Sequence, residues 1–574
     1  MDITPEVVYL ATFPTTALTE LYPSQPASKD IPSENLHSWD ESSLNPKNRI
    51  NSLVPVENPT WRIDGCTRMA TQFYTIPTFA QPLIPIRIDT FIPPLAQWPV
   101  EMIEMLASDR AFLYCDTRVL NFGIAQHILR TLEHWTSEFP NFQTYYMNLP
   151  FGSRIVFENI VKDVQQVRVR IVPMHSLERE LLSVTNLQSI WQDLQLPPTL
   201  DLAQLELLKQ FHDSVSLVRT NGKQDIRENI ILKALIISPK YLYHELRILL
   251  TMPPHPNIAP RPLHLVTKRC RFGGKTGVIG FTSTLHHQGN LRDILPSRRI
   301  DNTLHMADQI KWAQQLTDAL IHIQENGNYF HCDLRLDNVL LSDTDDVLLI
   351  DFESRGILAN SAAPEVSCLE YVDLIANHSS FAGPEKEKYD MLFEQYIKPY
   401  VSPNREMYQG EEHGYYSPWL CLSEREREAA EVYMLGRVLW CIFEGVSAPN
   451  TMLGIEYLRE PDLEFPEFRR TPLGLRTLVL KCTRGWTPWL GGLTRHGPKL
   501  GFGTEHNSDM PVAEVIEKIA ACCREELKRA EEFLRKWDSR RKQGEENIFN
   551  RPGLREVAQV LKGFQNYRAT ETLC

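Results

Sequence analysis

The chain has 574 residues, 43% hydrophobic and 23% charged, with a formal net charge of -12. Such a chain can bury large cores in roughly two to four folding units, which excludes a disordered protein, and its acidic balance without basic runs excludes a dedicated nucleic-acid surface. Its eleven scattered cysteines give neither a disulfide framework nor a zinc ligand set, and no uncharged apolar run reaches the roughly 18 residues of a membrane span, so a reducing, cytoplasmic setting is expected, with the nucleus second.

Residues 1–60 are rich in Pro, Ser, Asn and Asp and read as a polar extended arm. Residues 61–195 are more apolar, and "VRVRIV" alternates Val167, Val169 and Ile171 with Arg168 and Arg170, as a strand with one wet face does; the fold of this region is not given by its pattern. From 196 to 288 the spacing predicts a small antiparallel sheet: two alternating strands around an Asn221-Gly222 turn, a third strand through "IILKALI", and two more near 262–268 and 277–284. Between them "SPKYLYHELRILLTM" predicts a helix with Leu242, Leu246 and Leu249 on one face. Residues 289–570 are dominated by helical periods, with insertions near 370–420 and 485–548. In the second insertion Ile516, Ile519, Cys523, Leu527, Ala530, Leu534 and Trp537 share one helical face, which is read first as a helix packed on its own lobe and second as a coiled-coil partner face.

The stretch "YFHCDLRLDNVLLSDTDDVLLIDFESRG" sets Asp333, Asn338 and Asp351 around two apolar runs. A carboxylate that closes a buried strand loses hydration and needs a cation or strong donor. Asp-x4-Asn alone is common, and taken singly Asp351 reads as a turn residue, Lys233 as an edge charge and Glu245 as an exposed helix residue. Their joint order is far less probable by chance. The pattern resembles the catalytic lobe of protein kinases, with H-C-D-L-R-L-D-N for H-R-D-L-x-x-x-N and D-F-E for D-F-G. "IILKALI" stands in the place of V-A-I-K, "YLYHELRIL" carries the helix Glu, and "PHPNI", "VYMLGRVLWCIFEG" and "NRPGLREVAQVL" resemble later landmarks of the family.

The resemblance spans about 196–570 and implies an α+β, bilobal protein kinase-like fold, with an antiparallel-sheet N-lobe, a helical C-lobe and an additional N-terminal region. The chain is similar to the divergent kinase-domain proteins of filamentous fungi. It implies ATP- and Mg²⁺-dependent phosphoryl transfer to a hydroxyl, first of all a Ser or Thr of a protein substrate. Asp333 would be the base, Arg335 the clamp on the transferred phosphate, Lys233 with Glu245 the anchor of the α and β phosphates, and Asn338 with Asp351 the metal ligands. It further implies that Glu365 of "AAPEV" forms a buried ion pair with Arg551 of "NRPGL". No nucleic-acid or membrane partner is expected, and the oligomeric state is open.

Several positions depart from the family pattern. "FHDSVSLV" replaces the Gly-rich loop without a glycine, so Phe211, His212, Asp213 and Ser214 stand where backbone N–H groups would approach phosphates. Cys332 replaces the Arg that receives an activation-loop phosphate, Glu353 replaces the DFG Gly, and the segment before Glu365 is short. Two rival readings remain: a pseudokinase acting as a binding scaffold, suggested by these losses, and a small-molecule kinase of the aminoglycoside or choline type, suggested by "LLIDFE".

Overall fold

The computed structural model describes residues 58–66, 71–79, 82–93, 97–99, 102, 123–220, 228–271, 273–327, 329–353, 362–377, 383–400, 417–448, 463, 465–487, 493–496, 499–502 and 512–564. Nearly all of the expected polar arm, and Asn221 and Gly222, lie outside them. The described residues divide into two compact units, one within 58–246 and 261–285 and one within 247–260 and 286–564.

The first unit is strand-rich. Its N-terminal part is a five-stranded sheet of β1 (Trp61–Cys66), β2 (Gln72–Pro77), β3 (Asp89–Phe91), β4 (Arg154–Phe157) and β5 (Val169–Val172), in that order. β3 and β4 are parallel, as a crossover demands, and α1 (Gly123–Ser137) and α2 (Phe142–Met147) lie between them in sequence. The expected alternation holds in β5, where Arg170 is exposed and pairs with Glu158 at 2.9 Å. After α3 (His175–Glu180) and α4 (Val184–Ile190) comes a six-stranded sheet. Its strands are β6 (Thr199–Asp201), β7 (Leu205–Gln210), β8 (Val215–Thr220), β9 (Asn229–Ala234), β10 (His264–Arg269) and β11 (Thr276–Thr284), in the order β6-β10-β11-β9-β8-β7. The tight turn between the first two of its meander strands is at 211–214, ahead of the expected Asn221-Gly222 position.

One apolar core runs through both sheets, from Trp61, Phe73 and Ile155 to Leu205, Val218, Leu232 and Ile279. It is continuous across residue 195. α5 (Lys240–Thr251) buries Leu242, Leu246 and Leu249, the face its periodicity predicts.

The second unit is helical: α6 (Leu291–Ile300), α7 (Met306–Gly327), α8 (Pro364–Ala376), α9 (Pro384–Tyr396), α10 (Ser417–Leu420), α11 (Glu424–Glu444), α12 (Leu473–Cys482), α13 (Val512–Lys542) and α14 (Leu554–Gly563). Two small hairpins interrupt them, β12 (Val339–Leu341) with β13 (Val347–Leu349) and β14 (Leu493–His496) with β15 (Lys499–Phe502). α11 starts on a Ser423–Glu426 capping box and stops at Gly445, φ 71°. It is buried on nearly every side, which makes it the axis of the unit. Gly436 permits that packing, since a Cβ there would sit 2.6 Å from the Cβ of Cys482 on α12. On α13 the described part of the expected face, Leu527, Ala530, Leu534 and Trp537, is buried, and Trp537 Nε1 donates to Glu426 Oε1 at 2.6 Å. The fold is therefore α+β, with a strand-rich lobe and a helical lobe.

Candidate active site

The expected site residues form two sets, one in each unit. In the strand-rich unit, Lys233 lies on β9 between Val215 of β8 and Phe281 of β11. β11 comes close enough for this because of Gly280, where a Cβ would meet the Lys233 carbonyl oxygen at 2.3 Å. Lys233 Nζ reaches Glu245 Oε2 of α5 at 2.6 Å, and both side chains are almost wholly buried. α5 is held two residues earlier, where Tyr243 Oη donates to the Val278 carbonyl and accepts from Leu182 N–H, each at 2.8 Å. A buried ammonium paired with a carboxylate is held in direction, as an anion anchor requires.

The turn between β7 and β8 explains how the chain manages without glycine. Phe211 N–H and His212 N–H both donate to the Val215 carbonyl, at 2.9 and 3.1 Å. Gln210 Nε2 donates to the same oxygen at 3.2 Å and accepts Ser216 Oγ on its Oε1 at 2.6 Å. Two N–H groups that a Gly-rich loop would aim at phosphates are thus committed to the turn itself. Asp213 pairs with the His212 ring. Burial would raise the Asp213 carboxyl, but the His212 contact, Arg87 and the Ser214 N–H hold it below its ordinary value.

In the helical unit, α7 leads into His331, which is fully buried and whose Nε2 lies 2.9 Å from the Ile350 carbonyl. His331 N–H donates to Glu431 Oε1 of α11 at 2.7 Å. Burial pushes the Glu431 carboxyl up to about 8; the His331 N–H opposes the shift and the Glu428 charge adds to it. Asp333 is buried beside it. Asn338 Nδ2 donates to the Asp333 carbonyl at 2.9 Å and to its Oδ2 at 3.3 Å, and Arg335 Nε lies 3.3 Å from the same Oδ2. Burial holds Asp333 above the usual carboxylate range, Arg335 counteracts this, and the nearby Asp351 charge reinforces it. Asp351 follows β13 with φ 68°, a left-handed conformation uncommon for a non-glycine residue. The segments that lead from Asn338 into β12 and from β13 to Asp351 are joined by Ile350 N–H to the Asn338 carbonyl at 3.0 Å. "PHPNI" docks on the second, with Asn257 Nδ2 on the Val347 carbonyl at 2.8 Å and Leu349 N–H on the Asn257 carbonyl at 2.9 Å.

The structure brings together Asp333, Arg335, Asn338 and Asp351 in one unit and Lys233 with Glu245 in the other. Cys332 is buried, its thiol 3.6 Å from the Phe330 carbonyl. Ser354 and Ser361, the hydroxyls of the short segment before Glu365, lie outside the described residues. Glu365 and Arg551 meet as expected, buried, with Nη2 to Oε2 at 3.0 Å, and the guanidinium also donates to the Ala429 carbonyl at 2.8 Å and lies over the Tyr433 and Phe549 rings.

Residues 230–362 match the family model of protein tyrosine and serine/threonine kinases. The chain carries a protein kinase-like domain. The match starts on β9, past the glycine-free turn, and ends before Glu365. It supports phosphoryl transfer as the general chemistry of this domain. No curated protein matches the chain. Among the described residues no helix is long and apolar enough to cross a membrane.

Sequence reasoning missed Arg87, a buried arginine at φ 54° whose Nη1 donates to the Asp213 carbonyl. Only its position in the apolar run "PLIPIRIDTFIP" hinted at a charged side chain turned inward.

Proposed function

We propose that this chain is a protein kinase that moves a phosphoryl group from Mg-ATP to a Ser or Thr hydroxyl of a protein substrate. The observation that carries the reading is Asp333, a buried carboxylate oriented by Asn338, flanked by Arg335 and within charge reach of Asp351. In this reading Asp333 accepts the proton of the attacking hydroxyl, and its raised pKa makes it a better base than an exposed carboxylate. Arg335, half exposed, offers its remaining N–H donors to the phosphoryl oxygens. Lys233, fixed by Glu245, neutralises the α and β phosphates.

Asn338 spends its Nδ2 on Asp333, so its amide oxygen faces the other way, and with the Asp351 carboxylate it makes an all-oxygen donor pair that suits Mg²⁺. Asn338 and Asp351 would hold that ion, which when bound would supply positive charge to the phosphates. The buried Glu365–Arg551 pair and α14 support a protein substrate over a small molecule, because both belong to the helical lobe of protein kinases. A binding scaffold is the second reading, favoured by the N–H groups of Phe211 and His212 that the turn keeps for itself.

A thermal-shift titration with ATP and Mg²⁺ or Mn²⁺, followed by labelled-phosphate transfer to protein acceptors, separates the two. Metal-dependent stabilisation with transfer supports the kinase, and stabilisation without transfer supports the scaffold. No nucleotide response in either metal sinks both nucleotide readings.

A further inference from the structure

An edge strand exposes a row of N–H and C=O groups that a sheet must cover. β7 is such an edge, and the N-terminal sheet covers it group by group. Leu207 N–H donates to the Leu83 carbonyl at 2.6 Å, Arg62 Nη2 donates to the Leu208 carbonyl at 2.7 Å, and Asp64 Oδ2 accepts Gln210 N–H at 2.7 Å. Arg62 and Asp64 hold each other at 2.9 Å. The next contact along the same hairpin is Arg87 on the Asp213 carbonyl, at the turn itself.

Arg87 is placed for that one contact. Its Nη2 lies 2.7 Å from Asp89 Oδ2, which also accepts Gln72 Nε2 at 2.7 Å, and its guanidinium lies over the Tyr74 ring. Its left-handed backbone is of a kind that persists only where the surroundings over-determine it, and such outliers concentrate where geometry serves function. A turn without glycine cannot adapt its backbone to a ligand, so its shape must be set beforehand, and pre-setting lowers the ordering cost of binding.

We propose that Arg87 is a positioning residue for the turn Phe211–Ser214, so that the N-terminal sheet takes over the task that glycines perform elsewhere. This rests on the phosphoryl-transfer reading. Because Arg87 grips a main-chain oxygen, the side chains of the turn are free to vary while its shape stays fixed. Residues 58–172 are then a working part of the nucleotide lobe.

The test uses the full chain and measures amide hydrogen exchange together with the steady-state response to Mg-ATP. In Arg87→Ala, peptides covering 205–216 should exchange about tenfold faster while those of β10 and β11 stay unchanged. KM for ATP should rise about five- to tenfold with kcat within about twofold, a split that general loss of stability does not produce. Arg87→Lys should recover the Asp89 pair and the melting temperature but not the slow exchange, because one ammonium cannot replace a two-pronged guanidinium. Should Arg87→Ala fail to fold, Arg62→Ala, changed at a partly exposed site, should raise exchange at 207–210 about threefold. Unchanged exchange at 205–216 in folded variants, or faster exchange with unchanged KM, overturns the proposal. A wild-type chain that binds no nucleotide overturns the phosphoryl-transfer reading and the positioning role, while the exchange data alone still decide whether Arg87 restrains the turn.

Discussion

The loop that carries Asp333 and the turn at Phe211–Ser214 are both short, both rich in charge, and held in opposite ways. The loop is fixed by side chains of its own unit, with Glu431 on the His331 N–H and Asn338 on Asp333. The turn is held by its own N–H groups on the Val215 carbonyl and is met from a sheet far earlier in the chain, by Arg87 on the Asp213 carbonyl and by Arg62 and Asp64 on the main chain of the adjoining β7. In the proposed function the loop carries proton and metal chemistry, which needs particular side-chain atoms, and there the residue types follow the family pattern. A cradle made of backbone needs a shape, and several side-chain sets can impose the same shape. Loss of a glycine motif is therefore weaker evidence against nucleotide chemistry than loss of Asp333 would be.

The sharpest way to break this contrast is Asp333→Asn. Transfer should fall by about 10²–10⁴-fold, the usual contribution of a positioned base, while nucleotide affinity changes by less than about threefold. Asp351→Asn should instead remove the metal-dependent part of nucleotide binding. Equal loss of binding in the two variants, read by calorimetry, would mean that the roles are wrongly divided between them.

Next in size is the buried pair that closes the helical unit. Glu365→Ala or Arg551→Ala strands the other charge among apolar and aromatic neighbours, and each should cost about 3–5 kcal/mol in denaturant unfolding. The double variant should cost clearly less than their sum, because neither charge is then left alone. Small additive effects would show that the pair is solvated and that Glu365 serves only as the acidic residue in the first turn of α8.

What could be read in advance follows the same division. Lys233–Glu245 and Glu365–Arg551 were readable because residue types at set places in a recognised order imply contacts, even across 186 residues. The sheets and helices were readable where one face is apolar, as in α5 and α13. The fold of 61–195 was not, because β1 to β5 are short, β2 is buried throughout, and a parallel β3–β4 pair leaves no hairpin signal. The target of Arg87 was unreadable for a related reason: its apolar run hints at an inward side chain, but nothing local names a carbonyl more than a hundred residues ahead.

Glu431 gives a smaller and pH-dependent effect. Its carboxyl is raised to about 8 in the folded chain from an ordinary value of 4.5, so between those values the native state holds a proton that the unfolded state has lost. Its contribution is fully present below about pH 4.5 and falls away as pH rises through about 8, with a slope of at most about 1.4 kcal/mol per pH unit. Glu431→Gln mimics the protonated form and keeps an oxygen for His331 N–H. Its stability should match the wild type near pH 4.5 and exceed it above pH 8, as measured by urea midpoints across that range. Parallel midpoints at every pH would mean that Glu431 does not titrate with folding.

The smallest effect expected is at Asp213, and its sign matters more than its size. Arg87 holds the main-chain oxygen of Asp213, so Asp213→Asn leaves that contact in place and removes the carboxylate charge, chiefly its exposed pairing with His212, worth about 0–1 kcal/mol, and a lesser attraction to Arg87. Stability should hardly change at neutral pH. The small share that Asp213 contributes is present above its ordinary pKa and lost as pH falls through its lowered folded value, so the difference between variant and wild type should vanish in acid. Phosphates brought to this turn would meet a carboxylate, and a repulsion of about 1 kcal/mol at close range in water is several-fold in affinity. Asp213→Asn should therefore bind Mg-ATP a few-fold more tightly at low ionic strength, and the gain should shrink as salt is raised. A loss of affinity instead would mean that the carboxylate itself serves the nucleotide, and the turn would then have to be counted among the regions where a side chain, rather than a backbone shape, carries the chemistry.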